Sequence, residues 1–292
     1  MVQTVAFVGL GAMGSGMARC LAHKQFTVRG YDPRPEPLVQ LGVDGGQTCR
    51  SAADAGEGAE VAVVVPLNAE QVEHATFGEH GLAETLAPGS VVVCMSTISS
   101  ARARDLGARA VAAGLAWLDA PVSGGTARAA EGTLTTMIGG EVSDLERARA
   151  VIEGFSSHVF HLGPVGAGST AKLVNQILVY CNLVASVEAM VLCRKAGADP
   201  QTVFEMICTA MGSSAVFQSR VPKLLDGSYR SGGSLRIALK DLGIIEDTAR
   251  ELGLPMLMTA QATQLFRATA MTGAPDQDDL AVARLMEQLA GL

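Results

Sequence analysis

The chain is short of charge and of aromatic rings. Of its 292 residues, 17% are charged and 4% aromatic, with one tryptophan, Trp117. So little charge excludes a disordered chain, and so few rings exclude a protein that grips single strands by stacking bases. The net charge of −7 lacks the basic excess that non-specific nucleic-acid binding requires, so no nucleic-acid partner is expected. Six cysteines (Cys20, Cys49, Cys94, Cys181, Cys193 and Cys208) are too few for a disulfide scaffold, and none forms a C-x-x-C pair. The five histidines have no metal-ligand spacing, so no metal is expected. No Gly-Lys dipeptide exists, which excludes the P-loop of kinases and ATPases. The strongest apolar runs, 61–67, 91–95 and 177–185, fall short of the ~18 residues that a membrane span needs. The N-terminus shows no basic segment ahead of an apolar one. The expectation is a soluble, cytoplasmic protein with reduced thiols and no membrane partner.

Hydrophobic residues make up 48% of the chain, enough for a large core, and the length suggests two domains. The first half alternates short β-rich runs (4–8, 27–31, 60–65, 90–95, 115–120, 134–138 and 159–162) with alanine-rich helical patterns. Strands that are apolar throughout and separated by helices predict an α/β fold with a doubly wound, Rossmann-type sheet. After Pro164 the texture changes to helical patterns alone, at about 169–196, 200–209, 215–225, 235–252, 255–270 and 278–289. The predicted organisation is therefore a sheet domain over 1–164 and an all-helical domain over 165–292.

The first strand runs into Gly9-Leu10-Gly11-Ala12-Met13-Gly14, and a helical pattern follows. Taken alone, G-x-G-x-x-G is a weak signal. Here it lies between a strand and a helix, and Asp32 ends the next strand at about the distance a dinucleotide fingerprint needs. Gly9 permits the turn, Gly11 lets backbone approach a pyrophosphate, and Gly14 lets helix and strand pack closely. The helix N-terminus offers N–H groups and positive dipole to phosphates. Asp32 would accept the ribose hydroxyls, which favours NAD. Arg34, two residues on, would clamp a 2′-phosphate, so NADP stays open.

A second cluster, Asp119-Ala120-Pro121-Val122-Ser123-Gly124-Gly125, follows a strand. Its Ser123-Gly124-Gly125 turn would present a hydroxyl and N–H groups to a carboxylate, or would simply be a tight turn before a helix. Pro121 excludes a nucleophile elbow. Lys172 lies near the start of the long helical pattern, where a cation is electrostatically misplaced. That marks it as a candidate for proton transfer, unless it is an ordinary solvated lysine. Asn175 and Gln176 fall on its helix face. Lys240-Asp241-Leu242, in a later helix, reads as a solvated face.

Four segments in this order, Gly9 to Gly14, Asp119 to Gly125, Gly166 to Gln176 and Lys240-Asp241-Leu242, resemble the β-hydroxyacid dehydrogenase family end to end. That family includes 3-hydroxyisobutyrate, tartronate-semialdehyde and threonate dehydrogenases or reductases, with 6-phosphogluconate dehydrogenase as a longer relative. The resemblance implies that Lys172 is the catalytic residue and that Ser123, Gly124, Gly125, Asn175 and Gln176 hold a small carboxylate substrate. It assigns Pro66, Leu67 and Thr97 to the nicotinamide side and Lys240 to the cofactor. It further implies an active site between the domains and a homodimer or homotetramer built through the helical domain. Substrate hints disagree: Asn175-Gln176 is similar to tartronate-semialdehyde reductases, and 212–222 to the threonate type. Two alternatives accompany the hydroxy-acid reading, a semialdehyde or glyoxylate reductase and a non-catalytic NAD sensor of the same fold.

Overall fold

Strand β1 (Thr4–Val8) is apolar and buried from Val5 on because both its faces are covered. Val5 and Phe7 enter one hydrophobic cluster, with Met17, Leu21 and Leu118, while Ala6 and Val8 enter another, with Leu106 and Trp117. Alternation of side chains along a strand places those clusters on opposite faces of the sheet. The computed structural model describes residues 3–273 and 277–292.

The chain continues through α1 (Gly14–His23), β2 (Thr27–Tyr31), α2 (Pro35–Val43), β3 (Gln47–Thr48), α3 (Ala52–Gly56), β4 (Val61–Val64), α4 (Ala69–Phe77), β5 (Val91–Cys94), α5 (Ser100–Ala112) and β6 (Ala116–Asp119). These six strands form one parallel sheet in the order β3-β2-β1-β4-β5-β6. The order reverses between β1 and β4, and ligands of such sheets bind outside the carboxyl ends at that switch point. The doubly wound sheet of the sequence reading is therefore present. The two-residue β3 is exposed and gave no periodic signal.

A smaller sheet follows, made of β7 (Val122–Ser123), β8 (Leu134–Ile138) and β9 (Ser156–His161), with α6 (Gly125–Glu131) and α7 (Val142–Glu153) between them. β7 pairs antiparallel with β8, and β8 parallel with β9. Ser123, expected in a turn, thus ends a strand. The strands expected at 134–138 and 159–162 belong to this second sheet and do not extend the first.

Helix α8 (Ala167–Lys195) is locked at its start. Asp119, at the end of β6, is wholly buried; its Oδ1 accepts the Gly166 N–H at 2.7 Å and its Oδ2 the Ser169 N–H at 2.6 Å. A side chain is impossible at Gly168, where a Cβ would lie 2.3 Å from the Met137 carbonyl and 2.5 Å from that of Asp119. The first turn of α8 therefore lies flush against the ends of β6 and β8. The first compact unit accordingly includes this turn and runs to Lys172.

The second unit holds the rest of α8 with α9 (Pro200–Cys208), α10 (Ala215–Leu225), α11 (Leu235–Glu251), α12 (Leu257–Met271) and α13 (Ala281–Ala290). Among its described residues there is no strand. Its core joins Leu183, Val187 and Met190 of α8 to Phe217, Leu242, Phe266 and Val282. By length and composition α8 is the one described helix apolar enough to cross a membrane, a property the short apolar runs did not reveal. Its buried stripe lies in this core, and core helices of globular proteins have the same composition.

Removing the Asp119 carboxylate leaves two buried N–H groups without an acceptor. Asp119→Ala is expected to destabilise the fold by about 3 kcal/mol, and Asp119→Asn, which keeps one acceptor, by roughly half of that. Urea denaturation followed by circular dichroism checks the order; equal stability of all three proteins would remove the anchor from the account.

Candidate active site

The loop after β1 is built by two kinds of glycine. Gly9 has φ +98°, and a Cβ on it would lie 2.9 Å from the Val65 carbonyl carbon, in the loop after β4. A Cβ on Gly14 would lie 2.0 Å from the Gly9 carbonyl oxygen. Packing alone demands both. Gly11 differs, because a Cβ there would meet nothing closer than Arg34 Nη2 at 3.9 Å. Its bareness serves an approach from outside. Helix α1 starts at Gly14 with no side-chain cap and no acid in its first turn, so its terminal N–H groups suit an anion.

Asp32 sits beside this loop, with 5% of its side chain exposed. Its Oδ2 accepts the Leu10 N–H at 2.8 Å, and Arg34 grips both oxygens, Nε to Oδ1 at 2.9 Å and Nη2 to Oδ2 at 3.1 Å. Burial works to raise the Asp32 pKa, but the Arg34 guanidinium and N–H, together with the Leu10 N–H, outweigh it and hold the carboxyl below its ordinary value. The residues present fit a dinucleotide: a bare loop and helix end for the pyrophosphate, and a buried carboxylate for the ribose.

Pro66, Leu67 and Thr97 lie in the loops after β4 and β5. Ser96 Oγ donates to the Pro66 carbonyl at 2.6 Å and ties the two loops together; the Leu67 N–H donates to Gln71 at 2.9 Å. Gly9, Leu10, Gly11, Ala12, Met13, Gly14, Asp32, Pro66, Leu67 and Thr97 thus all follow the carboxyl ends of strands in one sheet. Ser123 is half-buried at the end of β7, and Gly124 (φ +139°) and Gly125 (φ +70°) are exposed beside it.

Lys172 is 8% exposed, which overturns the solvated alternative, since lysines are seldom so buried without a partner. It stands in the second turn of α8, one turn past the Ser169 N–H that Asp119 holds. Charge of the right sign for the helix N-terminus comes from Asp119, whose own pKa is raised by burial against the opposing pull of the Gly166 and Ser169 N–H groups.

The second unit carries the remaining candidates. Asn175 Nδ2 donates to Gln176 Oε1 at 3.0 Å, and Gln176 Nε2 donates to Asp241 Oδ2 at 2.6 Å. Lys240 Nζ meets Asp241 Oδ1 at 2.9 Å. The solvated-face reading of Lys240-Asp241 is therefore wrong: Asp241 is 1% exposed. Sequence reasoning missed the structural parts of Asp119, Tyr180 and Asp241. A signal for Asp241 existed, because it falls on the same stripe as Leu235, Ala238, Leu242 and Ile245, the buried face of α11.

The sheet topology and glycine loop define a dinucleotide-binding α/β protein. Residues 4–163 match the family model described as the NAD binding domain of 6-phosphogluconate dehydrogenase, and 166–286 that of the NAD-binding domain of NADP-dependent 3-hydroxyisobutyrate dehydrogenase. The chain is 38% identical to L-threonate dehydrogenase of Cupriavidus necator over 98% of its own length and 96% of that protein. It is 34% identical to the NAD-dependent L-serine dehydrogenase of Pseudomonas aeruginosa, covering 99% and 100% of the two chains. The crystal structure of 3-hydroxyisobutyrate dehydrogenase from Salmonella typhimurium is 34% identical, with TM-score 0.88 over 96% of this chain and 99% of that one. The chain belongs to the NAD(P)-dependent β-hydroxyacid dehydrogenases.

The Asp32 shift gives a signed pH dependence. Its folded-state pKa lies below the unfolded one, so the ionised carboxylate stabilises the fold above about pH 4, and that contribution is lost as pH falls through the lowered value. The stability gap between wild type and Asp32→Asn, measured by urea denaturation, is expected to be widest at neutral pH and to narrow as pH falls below the ordinary carboxylate range.

Proposed function

We propose that this protein transfers hydride between NAD and a hydroxy acid of about three to four carbons, with L-threonate the first substrate to test. The observation that carries the reading is the buried Lys172, held near the carboxyl edge of the sheet by the Asp119 anchor. The names of the relatives at 38% and 34% identity, L-threonate and L-serine dehydrogenase, support the substrate class. NAD is favoured over NADP because a 2′-phosphate would have to approach the Asp32 carboxylate.

The bound nicotinamide supplies the hydride acceptor or donor at its C4. Lys172 takes the proton from the carbinol oxygen in oxidation, or returns it to the carbonyl in reduction. Within the first unit, Ser123, Gly124 and Gly125 take the role of carboxylate contacts and Pro66, Leu67 and Thr97 that of nicotinamide contacts; within the second, Asn175 and Gln176 take the former role and Lys240 the latter. Orientation of the acid then contributes much of the rate, since no covalent intermediate with the protein is needed.

A second copy of the chain completes the protein as a homodimer or homotetramer. Along α8, Val174, Leu178, Ala185 and Leu192 are exposed at steps of four and then seven residues, which keeps them on one helix face, and Leu192 also lines a groove with Ala189 and Met286 of α13. Such a stripe is an association surface. The six free cysteines suit the reducing cytoplasm, where this reading places the enzyme.

Two measurements test these statements. Initial rates with short hydroxy acids and both cofactors should show turnover for the wild type, with NAD preferred. Lys172→Ala should lose about 10²–10⁴-fold in kcat while binding NADH normally by fluorescence; near-normal turnover would take Lys172 out of the chemistry. In sedimentation the wild type should exceed the 30.1 kDa monomer, and Leu178→Arg should shift it towards that mass; a wild-type monomer would refute the interface.

A further inference from the structure

Three buried polar side chains meet in the helical unit. Gln176 is 7%, Tyr180 4% and Asp241 1% exposed. An ionised carboxylate accepts hydrogen bonds and never donates, so Asp241 decides which way the Gln176 amide faces. Gln176 Nε2 turns to it, with Oδ2 at 2.6 Å and Tyr180 Oη at 3.1 Å. Tyr180 Oη donates to the same Oδ2 at 3.1 Å. Gln176 Oε1 is thereby directed to Asn175, whose Nδ2 it accepts at 3.0 Å. Burial and then the Asp241 charge push the Tyr180 hydroxyl well above its usual pKa, so it remains a donor. Lys240 Nζ, 2.9 Å from Oδ1, supplies the countercharge.

We infer that Tyr180 and Asp241 are positioning residues, a buried pair that fixes the polarity of the Gln176 amide and, through it, the orientation in which Asn175 meets the substrate carboxylate. The inference rests on the proposed role of Asn175 as a substrate contact. The chain of contacts has one direction: Asp241 takes donors, Gln176 shows its oxygen to Asn175, and Asn175 commits one amide hydrogen inward. With that hydrogen spent, the plane of the Asn175 amide is set before any acid arrives. Without Asp241, the Gln176 amide has two near-equal orientations, and in one of them its nitrogen opposes that of Asn175. Such buried networks specify geometry because every member is satisfied only in one arrangement.

A contact made equally in ground and transition state raises KM with little change in kcat when lost, whereas a merely structural role lowers stability and the active fraction. The probe is L-threonate with NAD, with L-serine in parallel. Tyr180→Phe keeps the ring, which packs edge-on against Phe266 at 5.4 Å, and removes only the hydroxyl. It should raise the KM for the acid about 5–20-fold, with kcat within about twofold and NADH affinity unchanged. Asp241→Asn should raise KM at least as much. In a Gln176→Met background, where the relay is already cut, Tyr180→Phe should add no further increase, a coupling that a double-mutant cycle reads directly. A wild-type KM in Tyr180→Phe, or effects that add in full in the double variant, overturns the inference. Absence of wild-type turnover on every acid would instead sink the proposed function, and it would show before any variant is made. Should Asp241→Asn fail to fold, Tyr180→Phe and the cycle still decide.

Discussion

One buried carboxylate organises the first unit of the molecule. Asp119 closes the last strand of the parallel sheet and caps α8, accepting the N–H of Gly166, the residue just before that helix and 47 residues further along the chain. Burying a charge without partners would be prohibitive; here two backbone N–H groups meet the two oxygens. The same groups would otherwise be orphans at a buried helix end. Sheet and helix therefore satisfy each other, and Gly168 lets them touch. Because a helix is stiff, fixing its first turn also fixes where Lys172 stands in the second.

Each unit is organised around a buried acid of its own. The first brings bare backbone, an uncapped helix end and a buried acid to the switch point of a parallel sheet, which is what a pyrophosphate and a ribose need. The second holds Asn175, Gln176 and Lys240 around a buried acid of its own. In each unit a carboxylate with almost no exposure sets the directions of nearby donors, Asp119 those of backbone N–H groups and Asp241 those of side-chain amides. Lys172 is the last residue of the first unit, and the helix that carries it continues into the second.

Much of this was legible in the sequence, and for local reasons. The order of strand, glycine loop, helix, strand and acid is a pattern of near neighbours, so Gly9, Gly11, Gly14 and Asp32 were readable from spacing alone. The helical second unit was likewise announced by its periodicity. The smaller sheet was not, because β7 has only two residues and pairs with a strand beyond a helix, and no alternation can show in so short a piece. The two family models meet at the proline-glycine turn at which the change of texture sets the boundary, while the docking of Gly168, a contact between distant segments, shows in no local pattern. The charge of Asp241 suggests a solvated face, yet its place on the apolar stripe of α11 buries it; the burial of Lys172 likewise follows from packing that no local pattern encodes.

The most direct test of the central claim is chemical rescue of Lys172→Ala. If an ammonium at that position exchanges the proton, small primary amines such as methylamine and ethylamine should restore turnover of a hydroxy acid by the variant, in proportion to amine concentration and with no effect on the wild type. Restoration by amines and not by equally sized alcohols is the predicted result. Identical rates with and without amine, in a variant that still binds NADH, would contradict the account.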